Sequence, residues 1–306
     1  MCKKTVVAFE FFSRFPDEQS ACEYYETRRW PNGVVCHLCS GTNNAPRKGR
    51  AGFYRCNDCR RPFSAKSGTV MARSRIEIRI WLYAMYLLST ARKGISSLQL
   101  SKEIGVTQKT AGFMLHRIRE ACDSRSGLLK GQVEVDETYI GGKERNRHAS
   151  KRLKLGRGPV GKAGVLGMKE RGGRVRAMPL NGEADASRLK CVIVENVKRG
   201  SKVYTDQHRG YSKLKGYDHH AVSHSAGEYV RGEAHTNTIE SIWAVMKRGY
   251  NGVYHHWSRK RMQRYINEFT FRLNEGNVKR HTYDRIDALC DRLSGKRITY
   301  AELTAE

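Results

Sequence analysis

Apolar and polar residues alternate over residues 131–140, where Val133, Val135, Thr138 and Ile140 mark a strand with one buried face. Shorter runs of the same kind at 164–168, 174–178 and 202–206 predict three more strands, the first two joined by a turn at Gly172 and Gly173. Between them, Leu189, Val192, Ile193 and Val197 recur at helical spacing and predict an inward-facing helix over 186–197. A second helix is expected over 237–248, with Asn237, Glu240, Trp243, Ala244 and Lys247 on one face. Strand, hairpin, helix, strand, loop and helix is the order of an α/β layer fold.

The first part of the chain reads as helical and modular. Residues 1–30 hold Phe9, Phe11, Phe12, Phe15, Tyr24, Tyr25 and Trp30 and predict a helical lead-in, with a helix beginning near Pro16 and Asp17. A helix over 76–89 draws core from Ile80, Trp81, Tyr83, Ala84, Leu87 and Leu88. Leu98, Leu100, Ile104 and Val106 then precede Ala111, Met114, Leu115 and Ile118, with Gly105 at the break. Two short helices around a glycine turn, within residues 69–125, predict a helix-turn-helix whose second helix presents Thr107, Gln108 and Lys109 to DNA. A three-helix bundle that touches no DNA has the same pattern.

Nine cysteines are an odd number, and four of them form two Cys-x₂-Cys knuckles, Cys36 with Cys39 and Cys56 with Cys59. That spacing predicts a zinc ribbon over 31–68, in which four thiolates complete a tetrahedral Zn²⁺ and leave no open position for catalysis. His37, inside a knuckle, is then a spectator. The single cysteines Cys2, Cys22, Cys122, Cys191 and Cys290 read as small buried hydrophobes in a reducing compartment.

Charge narrows the partners. With 57 Lys and Arg against 30 Asp and Glu, the 306-residue chain carries a formal charge of +27, which favours polyanions, nucleic acid above all. A basic stretch over 143–162, including Lys143, Arg145 and Arg147, is placed to grip DNA phosphates. No apolar run approaches the roughly 20 residues that span a bilayer, and no secretory signal is visible, so a cytoplasmic, nucleoid-associated protein is expected.

Against this basic background, Asp136 and Asp206 stand on predicted strands and Glu240 on a predicted helix. Carboxylates suit Mg²⁺, a hard cation that takes oxygen ligands. Two such ions, about 3.5–4 Å apart, can activate an attacking oxygen and stabilise a leaving one. Taken singly, each acid has an ordinary reading, as a turn former or a solvated helix position.

The words around these acids carry a resemblance. Residues 133–143 (VEVDETYIGGK), Thr205-Asp206, residues 235–243 (HTNTIESIW), Lys247-Arg248 and residues 252–256 (GVYHH) resemble insertion-sequence transposases of the DDE class with an N-terminal zinc ribbon, the ISXO2-like group. The resemblance also takes in Phe63-Ser64, residues 67–69, residues 93–97 and residues 116–120, and so spans nearly the whole chain. It implies a ribonuclease-H-like catalytic core over 126–306, Mg²⁺ or Mn²⁺, cleavage at element ends, and joining of the 3′-hydroxyl to target DNA by a homo-oligomer on double-stranded DNA. Under it, Asp136, Asp206 and Glu240 match the three acids, with Asn237 and Lys247 as candidates to share the third position. Lys247 and Arg248 would then meet phosphate. Asn237 can also be read as a helix N-cap. Glu137 is expected to face away from Asp136 and to be structural, and Trp243 to be core; His235, His255 and His256 are candidates for DNA or leaving-group contact, although a lone histidine is more often a surface or core residue. Two rival readings are a DNA-binding regulator without catalysis and a structure-specific nuclease that cleaves without joining.

Overall fold

The computed structural model describes residues 5–123, 127–142, 144–146, 148–153, 160–180, 186–206, 209–211, 214–222, 235–276, 280–295 and 298–304. The chain divides into two compact units, residues 1–123 with 275–306, and residues 124–274.

In the first unit, α1 (Ala8–Arg14) leads to α2 (Glu18–Arg29), which starts where Asp17 accepts the Ser20 N–H at 2.8 Å. Three short antiparallel strands follow: β1 (Asn44–Pro46), β2 (Phe53–Cys56) and β3 (Pro62–Ser64). Their core is only Cys36, Cys56 and Phe63, edged by Trp30, Val34 and Tyr54, too little apolar area to fold without a metal staple. Helix α3 (Ile78–Thr90) buries Trp81, Leu82, Met85 and Leu88. Its first N–H groups, on Ile78 and Arg79, donate to Glu18 at 2.8 and 2.9 Å.

Two further helices, α4 (Ser97–Ile104) and α5 (Gln108–Ala121), occupy the positions the glycine break predicts. Ser96 caps α4, Thr107 caps α5, and Gly105 closes α4 at φ +67°, a left-handed conformation that favours glycine. Leu98 is 51% exposed. Two helical residues turn the chain by about 200°, so the buried Leu100 puts Leu98 on the outer side.

The second unit holds a five-stranded sheet built from β4 (Gln132–Ile140), β5 (Ala163–Glu170), β6 (Val175–Leu180), β7 (Lys202–Asp206) and β8 (Asp218–Val222). Their order is β6-β5-β4-β7-β8: the first three in sequence form an antiparallel meander, and β7 and β8 join parallel to β4. This is the α/β layer arrangement that the order of elements predicts. Helix α6 (Ala186–Asn196) covers one face, where Val133, Val135 and Leu166 meet Leu189, Ile193 and Val197. Helices α7 (Asn237–Gly249) and α8 (Met262–Glu275) cover the other, where Ile140 and Val165 meet Ile239, Trp243, Met246 and Phe269. β4 therefore has two buried faces, not the single one expected. The reason is parity: Val133 and Val135 alternate in odd register and Thr138 and Ile140 in even register, so they point to opposite sides.

The chain then returns to the first unit. Helix α9 (Thr282–Cys290) packs on α2 and α3, with Thr282 accepting the Val6 N–H at 3.1 Å, Asp287 held by Tyr24 and Arg28, and Tyr283 edge-on to Phe15. The short α10 (Tyr300–Thr304) meets α5, where Tyr300 packs edge-on to Phe113 and Arg117 donates to the Ile298 carbonyl at 3.3 Å. The structure thus ends the second unit at residue 274, where a single domain over 126–306 was expected. The returning tail packs on α2 and α3, where Tyr283 meets the rings of Tyr24 and Phe15 and Asp287 meets Tyr24 and Arg28. Among the described residues, no helix is long and apolar enough to cross a membrane.

Candidate active site

β4 and β7 run parallel with Glu134 level with Tyr204. Two residues further along each strand stand Asp136 and Asp206. Carboxylate oxygens of Asp136, Asp206 and Glu137 all lie within 4.8 Å of one another, a spacing one cation can bridge. Asp136 pairs across β5 with Gly167, and the Trp243 ring of α7 lies over that glycine. A Cβ at Gly167 would come within 2.3 Å of the ring, so only glycine leaves the indole room to reach the neighbouring strand. There its Nε1–H donates to Asp136 Oδ2 at 2.9 Å. Burial is the main force raising the Asp136 pKa to about 7; Glu137 and Asp206 add to it, and the Trp243 hydrogen bond opposes it.

Glu137 departs from expectation. Its backbone faces away from Asp136, on the side where the buried Tyr211 sits, yet its carboxylate comes back to the shared cluster. A glutamate stem is one methylene longer than that of aspartate, which is enough reach at a strand end. Burial, together with the neighbouring Glu137, pushes the Tyr211 phenol well above its usual range.

Glu240 is exposed on α7, and the Thr236 hydroxyl donates to its carboxylate at 3.0 Å. Among the described residues it stands outside the carboxylate cluster. Of the face expected to be shared, Asn237, Glu240, Ala244 and Lys247 are exposed while Trp243 points into the sheet, 4% exposed, as its core reading requires. Asn237 is the first helical residue, not the N-cap; Thr236 holds that place, without a side-chain cap bond. The acceptor for the first turn is Glu134 of β4, which takes the N–H groups of Thr238 and Ile239, each at 3.0 Å. Glu134 had no role in the sequence reading, where it looked like a polar residue between two valines. Lys247 and Arg248 are exposed in the last turn of α7. His255 and His256 are exposed after it, and His235 is partly buried beside Glu134.

Elsewhere, Gln108 and Lys109 are exposed at the start of α5 beside the capping Thr107, with the Lys109 ammonium 4.8 Å from the Tyr300 ring. Lys143 and Arg147 lie outside the described residues, as does the Arg145 side chain. In the ribbon, Cys36 and Cys59 Sγ are 3.8 Å apart and Cys39 and Cys56 Sγ 3.6 Å. Four sulfurs at about 2.3 Å from Zn²⁺ would be separated by about 3.8 Å, so the thiolates fit a tetrahedral zinc, and His37 is not needed. Of the single cysteines, Cys22, Cys122 and Cys290 are buried as expected, Cys2 lies outside the described residues, and Cys191 is exposed on the outer side of α6.

Comparison with known proteins agrees with this geometry. Residues 128–274 match the ISXO2-like transposase domain and residues 16–62 the transposase zinc-ribbon domain. An uncharacterized protein in transposable element ISH50 of Halobacterium salinarum is 32% identical over 278 residues, covering 84% of this chain and 91% of that protein. The chain belongs to the ISXO2-like transposases. The matched domain closes at residue 274, where the second unit also ends. Two solved structures of the Mos1 transposition system are more distant. They are the strand transfer complex, with 12% identity, TM-score 0.29 and coverage of 72% of this chain and 79% of that one, and a pre-cleavage transpososome, with 11% identity, TM-score 0.28 and coverage of 67% and 75%.

Proposed function

We propose that the protein is a DNA transposase that cleaves phosphodiester bonds at element ends and joins the 3′-hydroxyl ends to target DNA at the Asp136–Asp206 site. The observation that carries this reading is the convergence of both aspartates, on parallel neighbouring strands, with Glu137 alongside. The donor set is all oxygen, as Mg²⁺ or Mn²⁺ prefers. Burial first, and then the neighbouring Glu137 and Asp206 carboxylates, raise the Asp136 pKa, and a bound cation would offset that cost by favouring the charged form. A bound pair of divalent ions supplies activation of the attacking oxygen and charge stabilisation at the leaving one.

The chain's own groups do the rest. Asp136 and Asp206 would hold the metal, and the Trp243 hydrogen bond to Oδ2 fixes the orientation of the Asp136 carboxylate. Glu240 is the third acid. It precedes Trp243, the residue bonded to Asp136, by three residues on α7, and its carboxylate is exposed. Asn237, one turn earlier on the same exposed side, and Lys247 are accessory; Lys247 and Arg248 meet phosphate. The ribbon and the exposed start of α5, with Thr107, Gln108 and Lys109, bind element ends, and the basic stretch with Lys143, Arg145 and Arg147 adds sequence-independent affinity. Two copies of the chain acting on two ends make a homo-oligomer on DNA.

Incubating the purified chain with DNA bearing the element's own termini and a target plasmid in Mg²⁺ tests this. Cleaved and joined products are expected. Cleavage without joining would assign a nuclease, and binding without either product a regulator.

A further inference from the structure

Glu134 stands two residues before Asp136 on the same face of β4, and its side chain is 0% exposed. The chemistry assigned to Asp136 and Asp206 makes no use of it. Its Oε2 accepts the Thr238 and Ile239 N–H groups at 3.0 Å each, and its Oε1 accepts Arg171 Nε at 2.8 Å and the Thr238 hydroxyl at 3.1 Å. The His235 ring Nδ1 lies 3.4 Å from the same oxygen. Arg171 also donates to the His235 carbonyl at 3.0 Å and sits over the Tyr204 ring at 4.3 Å. A carboxylate withdrawn from water is costly unless donors meet both oxygens, and here they do.

Two of those donors are first-turn N–H groups, which a helix cannot satisfy within itself. Thr236, at the cap position, turns its hydroxyl to Glu240 instead. The start of α7 is therefore fastened by the strand that carries Asp136, and five residues on, Trp243 is fastened to Asp136 itself. The two fastenings match in pitch: Glu134 to Asp136 is about 6.7 Å along a strand, and Thr238 to Trp243 is about 7.5 Å along a helix. α7 cannot slide along β4 without breaking both.

We propose that Glu134 is a positioning residue for the metal-binding carboxylates: by anchoring the first turn of α7 to β4, it sets where Trp243 holds Asp136. This rests on the reading of Asp136 and Asp206 as metal ligands. Glu134→Gln keeps the shape but exchanges one acceptor oxygen for an NH₂ that must face donors, at either the helix end or Arg171.

The test is Mn²⁺ affinity of the full chain without DNA, read by electron paramagnetic resonance, beside DNA affinity and thermal unfolding. Glu134→Gln is expected to weaken Mn²⁺ binding about tenfold or more, as loss of a group supporting a metal ligand does, and to leave DNA affinity unchanged. Trp243→Phe should weaken it too, and the double variant should fall short of the product, because both act through the placement of α7. A residue that only stabilised the fold would lower the unfolding temperature and leave Mn²⁺ affinity of the folded protein intact; that result overturns the proposal. Should Glu134→Gln not fold, Thr238→Val decides: it removes one donor to Oε1, and must shift Mn²⁺ affinity in the same direction by a smaller factor. Asp136→Asn separates the two levels. Normal Mn²⁺ binding in Asp136→Asn defeats the site assignment itself, whereas weak binding there with normal binding in Glu134→Gln defeats only the positioning role.

Discussion

Trp243 donates its indole N–H to Asp136 at 2.9 Å across the space left by Gly167. A helix residue, a strand acid and the absence of a side chain on the next strand form one arrangement. Gly167→Ala breaks it, because the new methyl would lie 2.3 Å from the ring. Overpacking of this kind costs about 1–3 kcal/mol, which urea unfolding should show. Cleavage should fall further than stability explains, since the ring must leave Asp136.

Zinc should be present at one ion per chain and be lost with Cys36→Ser or Cys59→Ser. Metal analysis of the purified protein reads this directly. The ribbon, with its three-residue buried core, should then lose its resistance to protease while the second unit keeps its own. Full zinc in both variants would remove the cysteines from the site.

Asp136 gives the metal-free protein a pH dependence of known sign. Its pKa rises on folding from the ordinary value near 3.8 to about 7. Folding therefore gains from the protonated form below about pH 4, and that gain is lost as pH rises through about 7. In EDTA, the stability of Asp136→Asn minus that of the wild type should grow more positive between pH 4 and 7 and then level off. Metal affinity should move the other way, strengthening through the same range as the proton is displaced. A flat difference in denaturant unfolding would show that Asp136 is not perturbed.

Lys109→Ala and Gln108→Ala should change discrimination between element ends and random DNA, because both side chains are exposed at the start of α5. Removing one phosphate-binding lysine should instead reduce the salt slope of binding by about one without changing preference. Footprints on element ends that persist unchanged in Gln108→Ala/Lys109→Ala would assign recognition elsewhere.

Much of the second unit was legible because its pattern is local. The alternation at 202–206 and the helical spacing of Leu189 and Ile193 name elements that the structure contains, and Gly105 marks a real helix end. What escaped depends on tertiary partners. β8, with its Asp218-His219-His220 start, has the polar pattern of an edge strand and no apolar period to betray it. α9 belongs to the first unit because of aromatic rings more than 250 residues earlier in the chain, a relation no window can see. Asp136 and Asp206 stood out as acids at the ends of apolar runs. Glu137 and Glu134 did not, because adjacent strand residues diverge by rule and a buried glutamate looks like any polar residue until its donors are seen.

The most direct measurement is single-turnover cleavage and joining of element-end DNA in Mg²⁺ by Asp136→Asn and Asp206→Asn, each shown by gel shift to bind that DNA like the wild type. Each substitution removes a metal-holding charge and leaves shape nearly unchanged, so both products should disappear together while binding survives. Glu240→Gln, run beside Asn237→Ala and Lys247→Ala, assigns the third position: loss in the first and retention in the others is expected. If Asp136→Asn and Asp206→Asn both cleave and join at the wild-type rate, the site described here is not where the chemistry happens.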